Sequence, residues 1–405
     1  MSINLLLGCS YNVRKDLIKQ VITKRQKEIS KNRKFFGDYF WRGEGKYTDF
    51  MKYNFLLNGV PIFVYGAISA IKSPEIKDIV IVGNSKTGEF TKVLQEQFKS
   101  YLKQNDKNLV FVHEGENKGY PLENTLKKGQ KVLGNKQSMF LTGDTPLTDI
   151  DETITSLPIK KEDDIIINLN GFNNINQEFS KKYSEGVFPR YYHLDFKFED
   201  GTLEPVKESN IYMLRLEDNV IRVADKFFGM RKGITTELIE YFKEDIFKRP
   251  IKEQGAVFSN APYLGTQLLR YVLGFKPQIK SENAQKLARD LEGVIFNISP
   301  EHKAPGNLED ADSLQDYMFL QESFIKAPHI YPYAKEVAEF KDRMKNSEKE
   351  EFVLMMNTFT KAIGYPNIFD SESNFKKGFL YELFKQYTPE RNEDHIKLHT
   401  FKKAS

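Results

Sequence analysis

The sequence SMFLTGDTPLT at residues 138–148 decides the fold class, because an apolar segment ends in glycine and aspartate and a proline soon follows. An apolar run of this length, bounded by a turn signal, predicts a buried β-strand from Ser138 to Thr142. Gly143 lets the backbone approach a ligand closely, and Asp144 offers carboxylate oxygen to a hard cation. The stretch therefore predicts a strand whose carboxyl end carries the chemistry.

Strands and helices alternate along the chain on either side of this stretch. Further apolar runs predict buried strands at residues 3–7, 79–82, 109–112, 164–169 and 294–298. Helical periodicity predicts helices at residues 12–37, 61–71, 87–103 and 122–133. This βαβ rhythm predicts a Rossmann-like α/β fold of three layers around a mostly parallel sheet. Ligands bind such sheets beyond the carboxyl ends of the strands, where Gly8, Gly83 and Asp144 fall.

The second half of the chain predicts a hairpin-like pair of strands and then helices. Tyr191 to Phe198 and Ile211 to Leu216 lie on either side of Asp200-Gly201, a dipeptide that favours a tight turn. Residues 217–290 are predicted to be mainly helical, and helices are also predicted from about Pro332 to the end.

Composition and charge exclude several classes of protein. The 405 residues carry 60 basic and 56 acidic side chains, a net charge of +4, which is too small an excess for bulk nucleic-acid binding. The single cysteine, Cys9, excludes an intramolecular disulfide and a thiolate zinc cluster. Residues 1–10 lack the features of a signal peptide, and no apolar run reaches the ~20 residues that span a bilayer. We therefore expect a cytoplasmic protein without a membrane span.

A second acidic segment, residues 309–316, follows the predicted strand 294–298 and begins a helix. Carboxylates from separate strand ends can converge on one cation, since Mg²⁺ commonly uses one or two carboxylates together with substrate phosphates. Considered alone, Asp310 and Asp312 are better explained as helix caps than as metal ligands, by roughly three to one.

Lys52 and His113 each have a structural and a functional interpretation. Lys52, considered alone, is a surface lysine before a strand, whereas its functional interpretation is a point charge on a phosphate. His113 follows a buried strand, and a hydrogen-bonded structural role is favoured over a catalytic one by roughly three to one.

In order and spacing, these segments resemble the nucleotidyltransferase superfamily that includes molybdenum-cofactor guanylyltransferases, sugar-1-phosphate nucleotidyltransferases and cytidylyltransferases of polyol phosphates. In that superfamily a lysine precedes a Leu-Leu run, a glycine and a proline, and then a helix. The same order is found here in Lys52, Leu56-Leu57, Gly59 and Pro61. Individually such motifs are not specific, but as an ordered set they are fairly specific.

The acidic segments extend the resemblance. The superfamily's metal-binding aspartate lies in a Gly-Asp-x-Pro-Leu motif, which residues 143–147 match, and its later Asp-x-Asp motif resembles residues 310–317. The resemblance therefore implies that Lys52 and Asp144 are catalytic. It also implies a divalent cation, Mg²⁺ or Mn²⁺, whose ligands would be Asp144, Asp312 and, next, Asp310.

The resemblance runs from about residue 3 to about residue 321, and it implies a GT-A-like nucleotidyltransferase fold. The catalytic domain would span residues 1–325, with an inserted segment at about 12–48 and a helical insertion at about 217–290. Residues 326–405 would form a C-terminal helical extension.

Further positions match the superfamily's substrate-binding segments. Asn210 matches an asparagine before a strand at the acceptor site, so it would contact the acceptor. Asn124 lies at the start of a helix that is near the nucleotide in the superfamily, and Gly143 would also lie against the nucleotide. Lys232 lies in a basic segment after the acceptor region. Without other evidence, Lys232 is interpreted as part of a solvated helix face. The functional alternative is that Lys232 binds the phosphate of the acceptor.

The loop after the first strand departs from the superfamily. A glycine-rich loop normally wraps the triphosphate there with backbone N–H groups. Here the strand continues into LLGCSYNVRK at residues 6–15, which contains one glycine. The side chains and backbone expected to contact the phosphates are those of Gly8, Ser10, Arg14 and Lys15.

Together these features predict a nucleotidyltransferase that moves a nucleotidyl group from an NTP to a small phosphorylated acceptor, with release of pyrophosphate. Two alternatives stay open. One is a metal-dependent GT-A-like glycosyltransferase, which would consume a nucleotide sugar. The other is a non-catalytic descendant that binds nucleotides. The presence of only one glycine in the loop favours this alternative, whereas the retained lysine and aspartates argue against it.

Overall fold

The computed structural model describes residues 3–9, 51–115, 121–157, 159, 162–171, 194–197, 203–225, 278–280, 285–286, 289, 293–299, 311, 317, 320–321, 324 and 331–362. Its strands are β1 (Ile3–Cys9), β2 (Leu56–Leu57), β3 (Val60–Pro61), β4 (Ile76–Gly83), β5 (Asn108–His113), β6 (Gln137–Thr142), β7 (Ile165–Gly171), β8 (Leu194–Lys197), β9 (Leu203–Arg215), β10 (Gln278–Lys280) and β11 (Phe296–Ser299). Its helices are α1 (Ile62–Lys72), α2 (Ser85–Gln104), α3 (Pro121–Leu133), α4 (Ile150–Ser156), α5 (Ala334–Arg343) and α6 (Asn346–Ala362). Residues 218–225 are also helical. Among the helices in these ranges, none has the length and apolar character needed to cross a membrane.

Nine of the strands form one sheet in the order β10-β8-β9-β6-β1-β4-β5, with β7 on β9 and β11 on β7. β9 runs antiparallel to β6, β7 and β8, whereas the other pairings described in this sheet are parallel. β2 and β3 form a separate two-stranded hairpin. The prediction of a Rossmann-like α/β fold with a mostly parallel sheet is confirmed.

The inner strand β1, which lies between β6 and β4, is buried along its whole length. Leu5 and Leu7 belong to a hydrophobic cluster that includes residues of α1 and α2, whereas Leu6 belongs to a second cluster that includes residues of α3. Because both faces of the strand are covered, its sequence is continuously apolar rather than alternating. The two clusters are the two interfaces of a three-layer structure.

The register of the parallel strands aligns their carboxyl ends. Gly8 of β1 pairs with Val82 of β4 and with Thr142 of β6, and Gly83 of β4 pairs with His113 of β5. The residues that follow these positions therefore lie along one edge of the sheet, where ligands bind in open α/β sheets.

Residues of the predicted C-terminal extension pack on the same hydrophobic cluster as β1. Val337 and Phe340 of α5 and Phe352 of α6 are buried in the cluster that contains Leu5 and Leu7. The predicted domain boundary at residue 325 stays a prediction, but one apolar core includes residues from both sides of it.

The second half of the sheet differs in detail from the prediction. Residues 278–280 lie in the stretch predicted to be mainly helical, yet they form β10, which pairs with β8. β8 pairs with residues 203–206 of β9, as a hairpin-like pair should, whereas residues 211–215 of β9 pair with β6. The difference arises because β9 is 13 residues long and contacts different partners along its length.

Candidate functional site

Lys52 and Asp144 form a buried ion pair at the carboxyl edge of the sheet. Lys52 Nζ contacts Asp144 Oδ2, and the two side chains are 6% and 5% exposed. Taking a charge out of water is costly, so each of these groups depends on the other for neutralisation. The two residues come from separate motifs in the sequence, and the fold places them in direct contact.

The backbone around Asp144 is fixed on both sides. The N–H of Gly143 donates to the carbonyl oxygen of Gly8 at 2.9 Å, and the N–H of Ala311 donates to the carbonyl oxygen of Asp144 at 3.1 Å. By contrast, Asp144 Oδ1 and the nearby Thr142 Oγ1 are buried and find no hydrogen-bond partner among the described residues. Buried polar atoms are nearly always paired in native proteins, so these two oxygens are open to a further partner.

Gly143 occupies a position at which a side chain does not fit. A Cβ built there would lie 2.5 Å from Cys9 Sγ and 3.2 Å from Phe63 Cβ. Cys9 and Phe63 are themselves fully packed, so neither has space to move aside. Glycine therefore allows the chain to leave β6 toward Asp144 while staying in contact with β1 and α1.

Lys52 begins a 3-10 turn, Lys52–Asn54, that leads directly into the β2-β3 hairpin. We refer to residues 51–62 as the lysine hairpin. Within it, the N–H of Phe55 donates to the carbonyl oxygen of Lys52 at 3.3 Å, and the N–H of Ile62 donates to that of Phe55 at 3.0 Å. These bonds connect the backbone of Lys52 to both strands of the hairpin.

A buried polar network joins the lysine hairpin to the start of α2. Asn84 is the N-cap of α2, and its Oδ1 accepts from the N–H of Thr87 at 3.0 Å. Asn54 Nδ2 donates to the same oxygen at 3.2 Å. In turn, the hydroxyl of Thr87 donates to Asn54 Oδ1 at 3.0 Å. An N-cap side chain satisfies helix N–H groups, and here it also fixes the turn that carries Lys52.

His113 is held by two hydrogen bonds at the end of β5. The N–H of Gly115 donates to His113 Nδ1 at 2.9 Å, and Nε2 lies 3.2 Å from Ser85 Oγ. Because Nδ1 accepts, the ring proton of a neutral imidazole lies on Nε2, which then donates to Ser85. This arrangement agrees with the structural role favoured from the sequence.

Asn124, predicted to lie near the nucleotide, is at the same edge of the sheet. Its Nδ2 donates to the carbonyl oxygen of Glu114 at 3.2 Å, and the N–H of Glu114 donates to the carbonyl oxygen of Gly83 at 2.8 Å. The neighbouring Thr125 packs near Gly8, with its Cγ2 3.4 Å from the point where a Cβ on Gly8 would stand. The first turn of α3 therefore lies beside the ends of β1, β4 and β5.

Asn210, the predicted acceptor contact, lies on β9 beside the end of β6. Ile211 pairs with Leu141 in the antiparallel register, so Asn210 is beside Thr142, next to the turn that carries Asp144. Asn210 is also buried. The register thus brings this predicted residue to the site, whereas its contact with an acceptor stays a prediction.

Cys9 lies at the same point but is a packing residue. Burial raises the pKa of the Cys9 thiol well above its ordinary value, and the negative charges of Asp144 and Glu114 raise that pKa further. The thiol therefore stays protonated at neutral pH, which makes it a poor nucleophile and a poor metal ligand.

Other predicted site residues lie outside the described part of the chain. They are Ser10, Arg14, Lys15, Lys232, Asp310 and Asp312. Ala311, which lies between the two aspartates in the chain, is described and buried. In the described ranges, no group of three or more His, Cys, Asp or Glu side chains is arranged to hold a metal ion.

The sequence analysis did not identify Asn54 and Asn84 as parts of the site. A local signal for Asn84 exists, because an asparagine directly before an amphipathic helix is a typical N-cap. Asn54 has no such signal, since its partners Asn84 and Thr87 are distant in sequence and meet it only in the folded chain.

No protein-family model and no curated protein sequence matches the chain. Solved structures give distant matches. A structure described as a hypothetical transferase from Thermus thermophilus has 14% identity and a TM-score of 0.43, over 78% of this chain and 100% of that one. A UDP-glucose pyrophosphorylase complexed with UDP-glucose has 12% identity and a TM-score of 0.35, over 80% of this chain and 99% of that one. An apo UDP-glucose pyrophosphorylase has 13% identity and a TM-score of 0.30, over 57% of this chain and 88% of that one.

Proposed function

We propose that this protein is a nucleotidyltransferase that transfers a nucleotidyl group from an NTP to a small phosphorylated acceptor and releases pyrophosphate. The observation that carries the proposal is the buried Lys52–Asp144 pair at the carboxyl edge of the sheet, next to an unpartnered carboxylate oxygen. A carboxylate that can bind a cation, in contact with an ammonium that can bind a phosphate, supplies the two charges that phosphoryl chemistry needs most.

A carboxylate oxygen at this edge is available to a divalent cation. Asp144 Oδ1 is a hard, buried oxygen without a partner among the described residues, and Mg²⁺ and Mn²⁺ prefer oxygen ligands. Asp144 would hold the ion together with Asp312, with Asp310 as the next candidate. The bond from the N–H of Ala311 to the carbonyl oxygen of Asp144 supports this set, because Ala311 is the chain neighbour of both aspartates. When bound, the cation would neutralise charge on the phosphoryl oxygens.

Lys52 would neutralise negative charge on the phosphates. Its ammonium now contacts Asp144 Oδ2, so an incoming triphosphate would compete for the same group. In the reaction, an oxygen of the acceptor phosphate forms a bond to the α-phosphorus of the NTP. The bond from that phosphorus to the oxygen bridging the α- and β-phosphates breaks, and pyrophosphate leaves with the electron pair. The attacking phosphate is already anionic, so no protein base is required.

The other proposed contacts surround this pair. Asn210 would orient the acceptor from β9, and Asn124 would face the nucleotide from the start of α3. Gly143 would allow the nucleotide to approach closely, although its N–H already donates to Gly8. The assignments of Ser10, Arg14, Lys15 and Lys232 to phosphates rest on the sequence alone.

The test is pyrophosphate release from a panel of NTPs, each combined with phosphorylated sugars and polyols in the presence of Mg²⁺. We expect one NTP and acceptor pair to give stoichiometric pyrophosphate, and Asp144→Asn to lower kcat at least about 100-fold, as the loss of a main electrostatic group does in other enzymes. Asp106→Asn is the matched control, because Asp106 is exposed and pairs with Lys77 away from the site. Wild-type turnover by Asp144→Asn under saturating Mg²⁺ would contradict the proposed catalytic role of Asp144.

The same assay separates the proposal from its rivals. Release of a nucleoside diphosphate from a nucleotide sugar, without pyrophosphate release from any NTP, would identify a glycosyltransferase. Calorimetric titration that detects nucleotide binding without turnover of any substrate would identify a non-catalytic binding protein.

A further inference from the structure

The lysine hairpin is covered by residues from the C-terminal part of the chain. Its tight turn contains Asn58 and Gly59, whose φ angles are +52° and +78°, and β2 and β3 pair on either side of it. Asparagine and glycine are the residues that tolerate this left-handed backbone. A two-stranded hairpin is marginally stable alone, so its position must be set by what packs against it.

Gln321 binds the tip of this hairpin directly. The N–H of Asn58 donates to Gln321 Oε1 at 2.8 Å, and Gln321 is fully buried. Leaving this half-buried N–H without an acceptor would destabilise the turn, so the bond to Gln321 favours a single position of the hairpin.

Aromatic packing supports the same hairpin from the side. The hydroxyl of Tyr317 donates to the carbonyl oxygen of Leu56 in β2. Phe55 lies 6.5 Å from Tyr317 and 6.0 Å from Phe352 between ring centroids, and Tyr317 and Phe352 are also 6.5 Å apart. These three rings are fully packed or nearly so. Residues from the C-terminal part of the chain thus form the wall against which the lysine hairpin rests.

Lys341 of α5 closes over the turn itself. A Cβ built on Gly59 would lie 2.7 Å from Lys341 Cε. The turn therefore has contacts from Gln321 on its backbone and from α5 on its outer side, and the lysine hairpin has little freedom to shift as a unit.

We propose that Gln321 is a positioning residue for Lys52, acting through Asn58 and the lysine hairpin. This inference rests on the proposed function, in which the Lys52 ammonium must reach a phosphate as well as Asp144. The bonds from Phe55 to Lys52 and from Ile62 to Phe55 transmit a shift of the hairpin to the backbone of Lys52. A displacement of ~1 Å at a catalytic group typically lowers the rate on the order of 100-fold.

The test compares Gln321→Met with a matched control, Gln97→Met. Methionine has a similar length, but its thioether sulfur is only a weak acceptor for the N–H of Asn58. Gln97 Nε2 donates to the carbonyl oxygen of Glu336 at 2.8 Å, so the control also removes a bond to the C-terminal region without touching the lysine hairpin. We expect Gln321→Met to lower kcat at least about tenfold. Gln97→Met should leave kcat unchanged.

A second arm separates positioning from general damage. In a Lys52→Met background, Gln321→Met should cause no further fall in kcat, because the group it positions is gone. An equal fall in both backgrounds, or wild-type kcat in Gln321→Met alone, would overturn the proposal.

A third arm keeps the inference testable if no NTP is turned over, which would count against the proposed function instead. The coupling between Lys52→Met and Asp144→Asn in the free energy of unfolding reports the ion pair without any substrate. We expect this coupling to weaken when Gln321 is methionine and to persist when Gln97 is methionine. An unchanged coupling in Gln321→Met would refute the positioning role.

Discussion

The backbone N–H of Ala311 donates to the carbonyl oxygen of Asp144, and this bond joins two acidic segments that are far apart in the sequence. One segment follows β6 and the other follows β11. Ala311 is buried, so the bond is shielded from water. Because consecutive Cα atoms are ~3.8 Å apart, Asp310 and Asp312 are attached to a residue in direct contact with the turn that carries Asp144. This contact supports the proposal that the two segments share a cation.

Ala311→Pro tests the importance of this junction. Proline has no N–H, so the substitution leaves the buried carbonyl oxygen of Asp144 without its donor, at a cost of ~1–3 kcal/mol. We expect weaker Mg²⁺ binding, measured by calorimetry, as well as a lower midpoint of thermal unfolding. Ala311→Gly keeps the N–H and is the control. Equal Mg²⁺ affinity in the proline and glycine variants would show that the junction does not position the cation site.

The buried ion pair makes a prediction about stability that is independent of catalysis. Lys52→Met leaves Asp144 charged and buried, and the loss of one partner of such a pair typically costs ~3–5 kcal/mol. Adding Asp144→Asn removes the stranded charge, so the double variant should be more stable than Lys52→Met alone. Urea denaturation in the presence of EDTA measures the three free energies of unfolding. Strict additivity of the two single changes would show that the pair is not coupled in solution.

Much of the fold was predictable because its signals are local. The buried run of β6 followed by Gly143 and Asp144, and the lysine followed by the Leu-Leu run, are each contained within about ten residues. Local apolar periodicity specifies a strand or a helix, and the βαβ rhythm then specifies a parallel sheet. The alignment of strand ends at one edge follows from that topology and accounts for the position of Asp144, whereas Lys52 reaches Asp144 from the separate β2-β3 hairpin.

The remaining features depend on contacts between distant segments. Nothing in the sequence of β9 indicates that it lies between β6 and β7, because the alternation of side chains does not identify the partner strand. In the same way, Tyr317 and Phe352 are ordinary apolar residues in the sequence, and only the folded chain shows that they pack on Phe55. The support of the lysine hairpin was therefore not predictable.

Gly143→Ala tests the close packing at the end of β6. The added methyl would meet Cys9 Sγ at 2.5 Å and Phe63 Cβ at 3.2 Å, so it must displace the turn that carries Asp144. We expect a loss of stability of ~1–3 kcal/mol, as for other overpacked cores, and a fall in kcat. Cys9→Ala combined with Gly143→Ala should restore part of the stability, because the closest contact is removed. The contrary result is a double variant whose stability equals the value predicted by adding the effects of Cys9→Ala and Gly143→Ala. That result would show that the Cys9 sulfur does not cause the steric conflict with the added methyl group.

The contact between α6 and α2 predicts a pH dependence of stability. Glu348 of α6 lies 3.9 Å from Lys86 Nζ, and its Oε2 finds no hydrogen-bond partner among the described residues. Burial raises the pKa of Glu348 above its ordinary value of 4.5, and the charge of Glu89 raises that pKa too, whereas Lys86 and Lys345 oppose the shift. Above pH 4.5, until the raised pKa is passed, the folded protein therefore binds more protons at this site than the unfolded chain does.

This proton linkage has a definite sign. Stability from Glu348 is fully present below the unfolded-state pKa and is lost as the pH rises through the folded-state pKa. The midpoint of thermal unfolding should therefore fall more steeply as the pH rises above about 4.5 in the wild type than in Glu348→Gln, which has no proton to lose. Glu351→Gln, which removes another carboxylate near Lys86, is the matched control, because Glu351 is 44% exposed and the Glu348 carboxyl group stays in place. Parallel curves for the wild type and Glu348→Gln would mean that this carboxyl group titrates alike in the folded and unfolded states.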